Sequence, residues 1–100
     1  MALEAAVFRA LADPTRRQIL SELKDGELAA GEIVDRFTIS GPSISRHLAV
    51  LKAAGLVTER RQGNRIYYKA ESGQLAVTVS DFVSRVCPAQ IVLRHQSRKL

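Results

Sequence analysis

The hydrophobic period of the sequence changes once, at Gly55, and this change limits the folds that the chain can adopt. Before Gly55, apolar residues recur at three- and four-residue spacings, which predicts four amphipathic helices. After it, residues 56–61 and 65–70 are two β-rich runs around a Gln-Gly-Asn turn, which predicts a hairpin. A final run of apolar residues at helical spacing begins near Ser72 and predicts a fifth helix. The predicted fold is therefore mainly α with a small β-hairpin, in the order α-α-α-α-β-β-α.

The third and fourth predicted helices are joined by only three residues, 38–40. Such a short connection is typical of a helix-turn-helix. Earlier in the chain, Asp13 is expected to cap the second helix and Pro14 to occupy its first position, where a missing N–H costs nothing. Leu28, just before the third helix, is expected to be extended.

The fourth helix begins in an unusual way for a purely structural helix, with Ser-Gly-Pro-Ser at residues 40–43, where Ser40 is expected to cap the helix and Pro42 to lie in its first turn. Ile44, Leu48 and Leu51 form its buried stripe, and Arg46 falls about 200° from Ile44 at 100° per residue. The outer face is therefore small, hydroxylated and cationic. An ordinary capped helix with a solvated face is the simpler alternative. The candidate contact residues on this helix are Ser40, Gly41, Pro42, Ser43, Ser45, Arg46 and His47.

The distribution of charge favours DNA as the partner. The 100-residue chain carries a net charge of +5, and residues 40–70 contain six basic residues and one acidic residue. A helix-turn-helix places its second helix in the major groove, where Arg binds O6 and N7 of guanine. The hairpin is expected to contact the DNA backbone or minor groove as a wing. Its candidate residues are Arg60, Arg61, Gly63, Asn64 and Arg65.

Two further side chains have competing interpretations. His47 lies about 60° from the buried stripe, so a half-buried role with a hydrogen bond to a neighbouring helix is at least as well supported as a phosphate contact. Tyr67 and Tyr68 alternate along a strand, so one should face the core and the other should face outward.

Four segments resemble the ArsR family of winged-helix repressors, and within it the SdpR-like autorepressors. They are ALADPTRRQILSEL (10–23), AAGEIVDRF, SGPSISRHLAVLKAAGLV (40–57) and RRQGNRIYYKA (60–70), and the resemblance covers roughly residues 3–86. It implies a homodimer built on the first and last helices that binds an imperfect palindrome in its own promoter region. It also implies that Thr15, Arg16 and Arg17 lie near DNA phosphates. Arg16 and Arg17 are interpreted as phosphate contacts or as partners of acidic residues, rather than as base readers.

The first and last helices carry more apolar surface than a core of this size is expected to cover, which predicts the same homodimer. The expected interface residues are Leu3, Val7, Phe8, Leu11, Leu75, Val79, Phe82, Val83 and Val86. Residues 1–87 are interpreted as one DNA-binding and dimerisation domain, and residues 88–100 as a basic tail of unassigned structure.

The sequence argues against several other functions. The segments ELAAGEIVD and LAVTVSDFVSRV lack the Cys or His ligands of metal-sensing relatives, and the one cysteine, Cys87, excludes a disulfide within a chain. No cofactor, metal site, catalytic residue set or membrane insertion is predicted, and a cytoplasmic location is expected. Three alternatives stay open: a metal- or ligand-responsive sensor, a protein-interaction module on the same scaffold, and release by an unidentified sequestering protein or effector.

Overall fold

The computed structural model describes residues 2–91 and residue 93, without the side chains of residues 2 and 3. The chain forms, in order, α1 (Ala2–Leu11), α2 (Pro14–Glu22), β1 (Leu28–Ala29), α3 (Ala30–Asp35), α4 (Gly41–Ala53), β2 (Val57–Gln62), β3 (Arg65–Ala70) and α5 (Ser72–Val86). The predicted order of helices and hairpin is confirmed. The prediction for the tail falls largely on residues 94–100, which lie outside the described residues, while residues 89–91 are helical.

The sheet has three antiparallel strands in the order β1-β3-β2, one more than the predicted hairpin. The additional strand is the extended segment at Leu28, whose residues Leu28 and Ala29 pair with Tyr68 and Tyr67. Two residues are too few to show an alternating pattern, so no sequence period indicated this strand. Its consequence is that the base of the wing is hydrogen-bonded to the segment that leads into α3.

The core lies between the first four helices and the inner face of the sheet. Each of α1, α2, α3 and α4 contributes at least one fully buried aliphatic side chain: Val7, Ile19, Ile33 and Ile44 are at most 1% exposed. Leu48 and Leu51 extend the buried stripe of α4, as predicted. Burying a side chain of this size contributes about 1.5–3 kcal/mol, so the orientation of α4 is set by its inner face.

Two glycines end elements in a backbone conformation that favours glycine. Gly55 follows α4 with a φ of 76°, and Gly63 begins the β2–β3 turn with a φ of 64°. A positive φ at the first residue of a two-residue turn matches the twist of the hairpin. Both residues stand where the sequence pattern placed a helix stop and a hairpin turn.

Neither α2 nor α3 begins with a side-chain cap from its N-cap residue. Asp13 does occupy the N-cap position of α2, with Pro14 next, but its side chain makes no capping hydrogen bond. At α3 the cap position is an alanine, and the carboxylate of Glu32 accepts from the Ala29 N–H at 2.9 Å instead. The expectation that Asp13 caps α2 is therefore wrong, and its carboxylate is directed elsewhere.

Candidate nucleic-acid interface

The entry of α4 is built by serine hydroxyls. Ser40 is the N-cap residue in an extended conformation, and its Oγ accepts a hydrogen bond from the N–H of Ser43 at 3.3 Å. The two hydroxyls of Ser40 and Ser43 lie 3.1 Å apart, within hydrogen-bonding distance. Pro42 stands in the first turn, where it needs no hydrogen-bond acceptor. The predicted cap is confirmed, and Ser40 also accepts the N–H of Ile44 at its carbonyl oxygen, at 3.1 Å.

The outer side of the first two turns of α4 forms the reading face, which we define as Pro42, Ser43, Ser45 and Arg46. All of these except the half-buried Ser43 are exposed. The guanidinium of Arg46 donates to Ser43 Oγ at 3.3 Å. The serine that helps to close the helix cap therefore also restrains the one cation of this face.

His47 lies on the inner side of the reading face, half-buried against the start of α2. Its Nδ1 accepts from Nη1 of Arg16 at 3.3 Å and lies 3.6 Å from Oδ2 of Asp13. That carboxylate oxygen is buried and has no hydrogen-bond partner. Of the two interpretations of His47, the structure supports the half-buried role, because its ring connects α4 to the α1–α2 corner.

The structure corrects the prediction for Arg16. Its Nε donates to the carbonyl of Ala10 at 2.7 Å and its Nη2 to that of Arg9 at 2.9 Å, which closes the C-terminal end of α1. The third nitrogen, Nη1, donates to His47. All three nitrogens of Arg16 therefore form hydrogen bonds within the chain rather than with phosphates. Arg17 is exposed, and only one of its nitrogens donates a hydrogen bond, to the carbonyl of Leu11 at 2.7 Å. Contact with DNA phosphates therefore stays a prediction for Arg17 and Thr15 alone.

The wing has two chemically different faces. Cross-strand pairing places Arg60 opposite Tyr67 and Gln62 opposite Arg65, on the outer face. The guanidinium carbons of Arg60 and Arg65 lie 4.5 and 5.7 Å from the centre of the Tyr67 ring, which is cation–π geometry. Tyr67 therefore faces outward and Tyr68 packs against the core, as the alternation required.

Only part of the predicted wing is available to DNA. Arg60 forms an ion pair with Glu27 and donates to Gln62 at 2.7 Å, so it connects the wing to the loop before β1. The DNA contact of Arg60 stays a prediction, with part of its guanidinium engaged by Glu27 and Gln62. Arg61 and Arg65 make no hydrogen bond or ion pair with the described residues, and they flank the exposed tip residues Gly63 and Asn64.

Two ion pairs hold the wing against the body of the domain. Arg60 pairs with Glu27, and Glu59 pairs with Lys52 at the end of α4. In each case the hydrogen bond from the cation lowers the pKa of the glutamate below its usual value. Burial raises the pKa of Tyr68, and the adjacent carboxylate of Glu59 raises it further. Neither pair was predicted; Glu27 and Arg60 are 33 residues apart, and Lys52 and Glu59, seven residues apart, lie in different elements.

The lowered glutamate pKa values predict a pH dependence. Because the folded-state pKa of Glu27 lies below its unfolded value of about 4.5, the pair stabilises the fold above that pH and loses this effect as the pH falls through the folded pKa. Glu27→Gln should therefore lower the melting temperature slightly at pH 7 and leave it unchanged at pH 3. Glu71→Gln, which removes a carboxylate outside any ion pair among the described residues, is the control. A constant difference for Glu27→Gln from pH 7 to pH 3 would contradict the prediction.

The first and last helices meet at an aromatic pair, Phe8 and Phe82, whose rings are edge to face at 5.4 Å. Beyond this contact α5 leaves apolar side chains exposed: Phe82 is 45% exposed and Val86 is 64% exposed. Val77, which was not among the predicted interface residues, is 70% exposed. It lies about 180° around the helix from Val86.

The predicted interface residues separate into three groups. Val7 is fully buried in the core of its own chain, so it has no surface to offer a partner, and that part of the prediction is wrong. Leu3 lies outside the described side chains. The others are half-buried or exposed, and they remain candidates. They are Phe8, Leu11, Leu75, Val79, Phe82, Val83 and Val86.

Cys87 is a half-buried free thiol at the end of α5. Within residues 2–91 and 93, no group of three or more His, Cys, Asp or Glu side chains is placed to hold a metal ion. In the same part of the chain, no helix has the length and hydropathy required to cross a bilayer.

α3 ends at Asp35 and α4 begins at Gly41, so five residues join the two helices and not the predicted three. This helix-turn-helix, followed by a β2–β3 hairpin and a covering helix, defines a winged helix-turn-helix protein. Its α4 is the second helix of the motif and has an exposed, cationic entry. Residues 13–59 match the model of the arsR family of bacterial regulatory proteins. This match contains the whole helix-turn-helix and the first three residues of β2.

Individual relatives agree with this match. The chain is 46% identical to the transcriptional repressor SdpR of Bacillus subtilis over 74 residues, which is 74% of this chain and 82% of that protein. It is 39% identical to the transcriptional repressor SmtB of Mycobacterium tuberculosis over 84 residues, 82% of this chain and 62% of that one. An ArsR-like transcriptional regulator from Rhodococcus sp. RHA1 superimposes with a TM-score of 0.75 at 35% identity, covering 98% of this chain and 91% of the other. The chain belongs to the arsR family, whose members are transcription regulators and not enzymes.

Proposed function

We propose that this chain is a transcriptional repressor that binds a specific double-stranded DNA site with the reading face of α4. The observation that carries the proposal is the placement of Arg46 and Ser45, exposed on a helix entry whose opposite side is anchored by Ile44 and Leu48. Small side chains at that entry let the backbone approach the groove, and a single Arg supplies a bidentate base contact.

The wing is proposed to act as a clamp on the DNA backbone. Arg61 and Arg65 have no ion-pair partner among the described residues, whereas Arg60 is held by Glu27. Free guanidinium groups beside a glycine turn reach phosphates without the geometric precision that base reading requires. The two ion pairs at Glu27 and Glu59 fix the angle at which this clamp leaves the domain.

The repressor is proposed to act as a homodimer in the cytoplasm, on an imperfect palindrome in its own promoter region. Exposed Phe82 and Val86 on α5 supply the apolar surface for a two-fold interface, beside the α1 contact at Phe8. Two-fold symmetry then requires paired half-sites whose centres are about 10 base pairs, or a multiple of that, apart.

Duplex binding over a series of salt concentrations tests this function. Affinity should fall linearly on a log–log plot with salt, because each neutralised phosphate releases counterions. Lys24→Ala is the matched control, since it removes a cation that is not among the proposed DNA contacts, and it should leave the slope unchanged. Absence of duplex binding, or binding insensitive to salt, would favour the alternative of a protein-interaction module on the same scaffold.

We expect operator binding to be independent of metal. Stoichiometric Zn, Cd, Ni or Cu salts should leave the affinity for the duplex unchanged, because residues 2–91 and 93 contain no group of three or more His, Cys, Asp or Glu side chains placed to hold such an ion. The measurement is a duplex titration with and without each ion after treatment with a chelator. Tight, stoichiometric uptake of Zn coupled to DNA release would contradict the prediction and indicate ligands shared between subunits.

A further inference from the structure

A cavity of about 540 Å³ opens between the end of α2 and the junction of β3 with α5. Cavities that hold small ligands are typically about 300–1,000 Å³. Its floor is formed by Leu23 and Leu56, which are 2% and 1% exposed and belong to the core. Half-buried Leu20 and Leu75 form two of its walls. A molecule that entered it would therefore contact the hydrophobic core itself and not only a surface depression.

The rim of this cavity carries an excess of positive charge. Three of its charged side chains are basic, Arg17, Lys24 and Lys69, and one is acidic, Glu71. The ammonium group of Lys24 makes no hydrogen bond or ion pair with the described residues. Arg17 uses one nitrogen on the carbonyl of Leu11. The rim therefore retains hydrogen-bond donors and charge that an anion would satisfy.

We propose that this cavity binds a small amphipathic organic anion, with its apolar body against the leucines and its acidic head at Lys24 and Lys69. Straight-chain and aromatic carboxylates share this chemistry. The cavity is separate from the reading face and from the exposed Phe82 and Val86, so its occupation is independent of whether the proposed DNA binding is correct. A bound ligand bridges α2 and the first turn of α5, the helix proposed to carry the dimer interface.

The positive charge of the rim favours a small organic anion, rather than a second copy of the chain, as the molecule that fills the cavity. Leu11 and Leu75 line the cavity and are also candidate interface residues. A second copy docked cavity to cavity would bring together two rims that each carry three cations and one carboxylate, so both sides have an excess of positive charge. Like charges placed opposite each other disfavour that arrangement, whereas a carboxylate complements it.

Titration of the full chain with decanoate and with 2-naphthoate, in the absence of DNA, tests the binding. Calorimetry should show saturable binding of one molecule per chain, and backbone amide shifts should change at Leu20, Leu56 and Leu75. Decanol should bind more weakly than decanoate, and decylammonium should not compete. Tighter binding of decanoate would indicate a fatty acid as the natural ligand, and tighter binding of 2-naphthoate would indicate an aromatic acid. Absence of saturable binding by both anions would overturn the proposal.

Lysine variants test the role of the rim. Lys24→Gln combined with Lys69→Gln should weaken decanoate binding by roughly three- to tenfold, the range expected when two solvent-exposed charge interactions are removed. Lys52→Gln, a lysine on α4 outside the cavity, should leave it unchanged, and the melting temperatures show whether each variant is folded. Equal affinity for decanol and decanoate, an unchanged affinity in the double variant, or shifts confined to Phe82 and Val86 would each overturn the proposal.

Discussion

Replacing Phe82 and Val86 together with Glu should convert a dimer into a folded monomer and cause the largest loss of operator affinity of any change considered. Both side chains are exposed on α5, at 45% and 64%, and the contact that their replacement removes within the single chain is the Phe8–Phe82 pair. An unpaired carboxylate buried in an apolar interface costs at least several kcal/mol, so the two-fold contact should fail. Sedimentation equilibrium at micromolar concentration measures the outcome.

The control for this experiment lies on the same helix. Val77 is 70% exposed, on the side of α5 opposite Val86. Val77→Glu introduces the same charge at a position of comparable exposure, and it should leave the dimer and operator binding intact. A wild-type chain that sediments as a monomer, or equal effects of Val77→Glu and Val86→Glu, would show that this face of α5 is not the interface.

Replacing Arg46 with Ala should relax sequence preference at one position in each half-site. Its exposed guanidinium is the one cation of the reading face, and a bidentate contact to a guanine edge contributes about 1–3 kcal/mol of discrimination. The loss should be large on the operator and small on a scrambled duplex. Ser43→Ala, which removes the hydrogen bond that restrains Arg46, should weaken preference at the same base pair by less.

The wing supplies the matched comparison. Arg65→Ala should weaken binding to operator and scrambled duplex about equally, and should lower the salt slope by about one for each phosphate that a subunit no longer neutralises. Arg60→Ala should have less effect on the salt slope, because its guanidinium is held by Glu27. If Arg46→Ala lowers both affinities equally while Arg65→Ala changes specificity, the roles of α4 and the wing are reversed.

Most of the fold could be predicted because its signals are local. The change of hydrophobic period at Gly55, the Ser40 cap and the buried stripe of α4 each depend on residues within a few positions of one another. β1 was missed because it has two residues and is defined by its pairing with β3, some forty residues later in the chain. Helix propensity and period contain no information about such a pairing.

The errors in the predicted site have the same cause. Arg16 resembled a phosphate-binding residue because it is a cation at a helix start, but its position is set by the carbonyl groups at the end of α1 and by His47, 31 residues away. Arg60 was assigned to DNA by its charge, and its ion pair with Glu27, 33 residues away, was not predicted. Val7 fits both a core stripe and an interface stripe, and only the packing of α1 on its neighbours separates the two.

Selection of bound duplexes from a randomised pool, carried out in parallel with the wild-type chain and Arg46→Ala, tests base reading by α4 most directly. The wild type should enrich an inverted repeat with half-site centres about 10 base pairs, or a multiple of that, apart, and a guanine at a fixed position in each half. The Arg46→Ala pool should retain the spacing and lose preference at that guanine alone. Enrichment of no common sequence by the wild type, or the same fully specified site in both pools, would contradict sequence reading by the α4 entry.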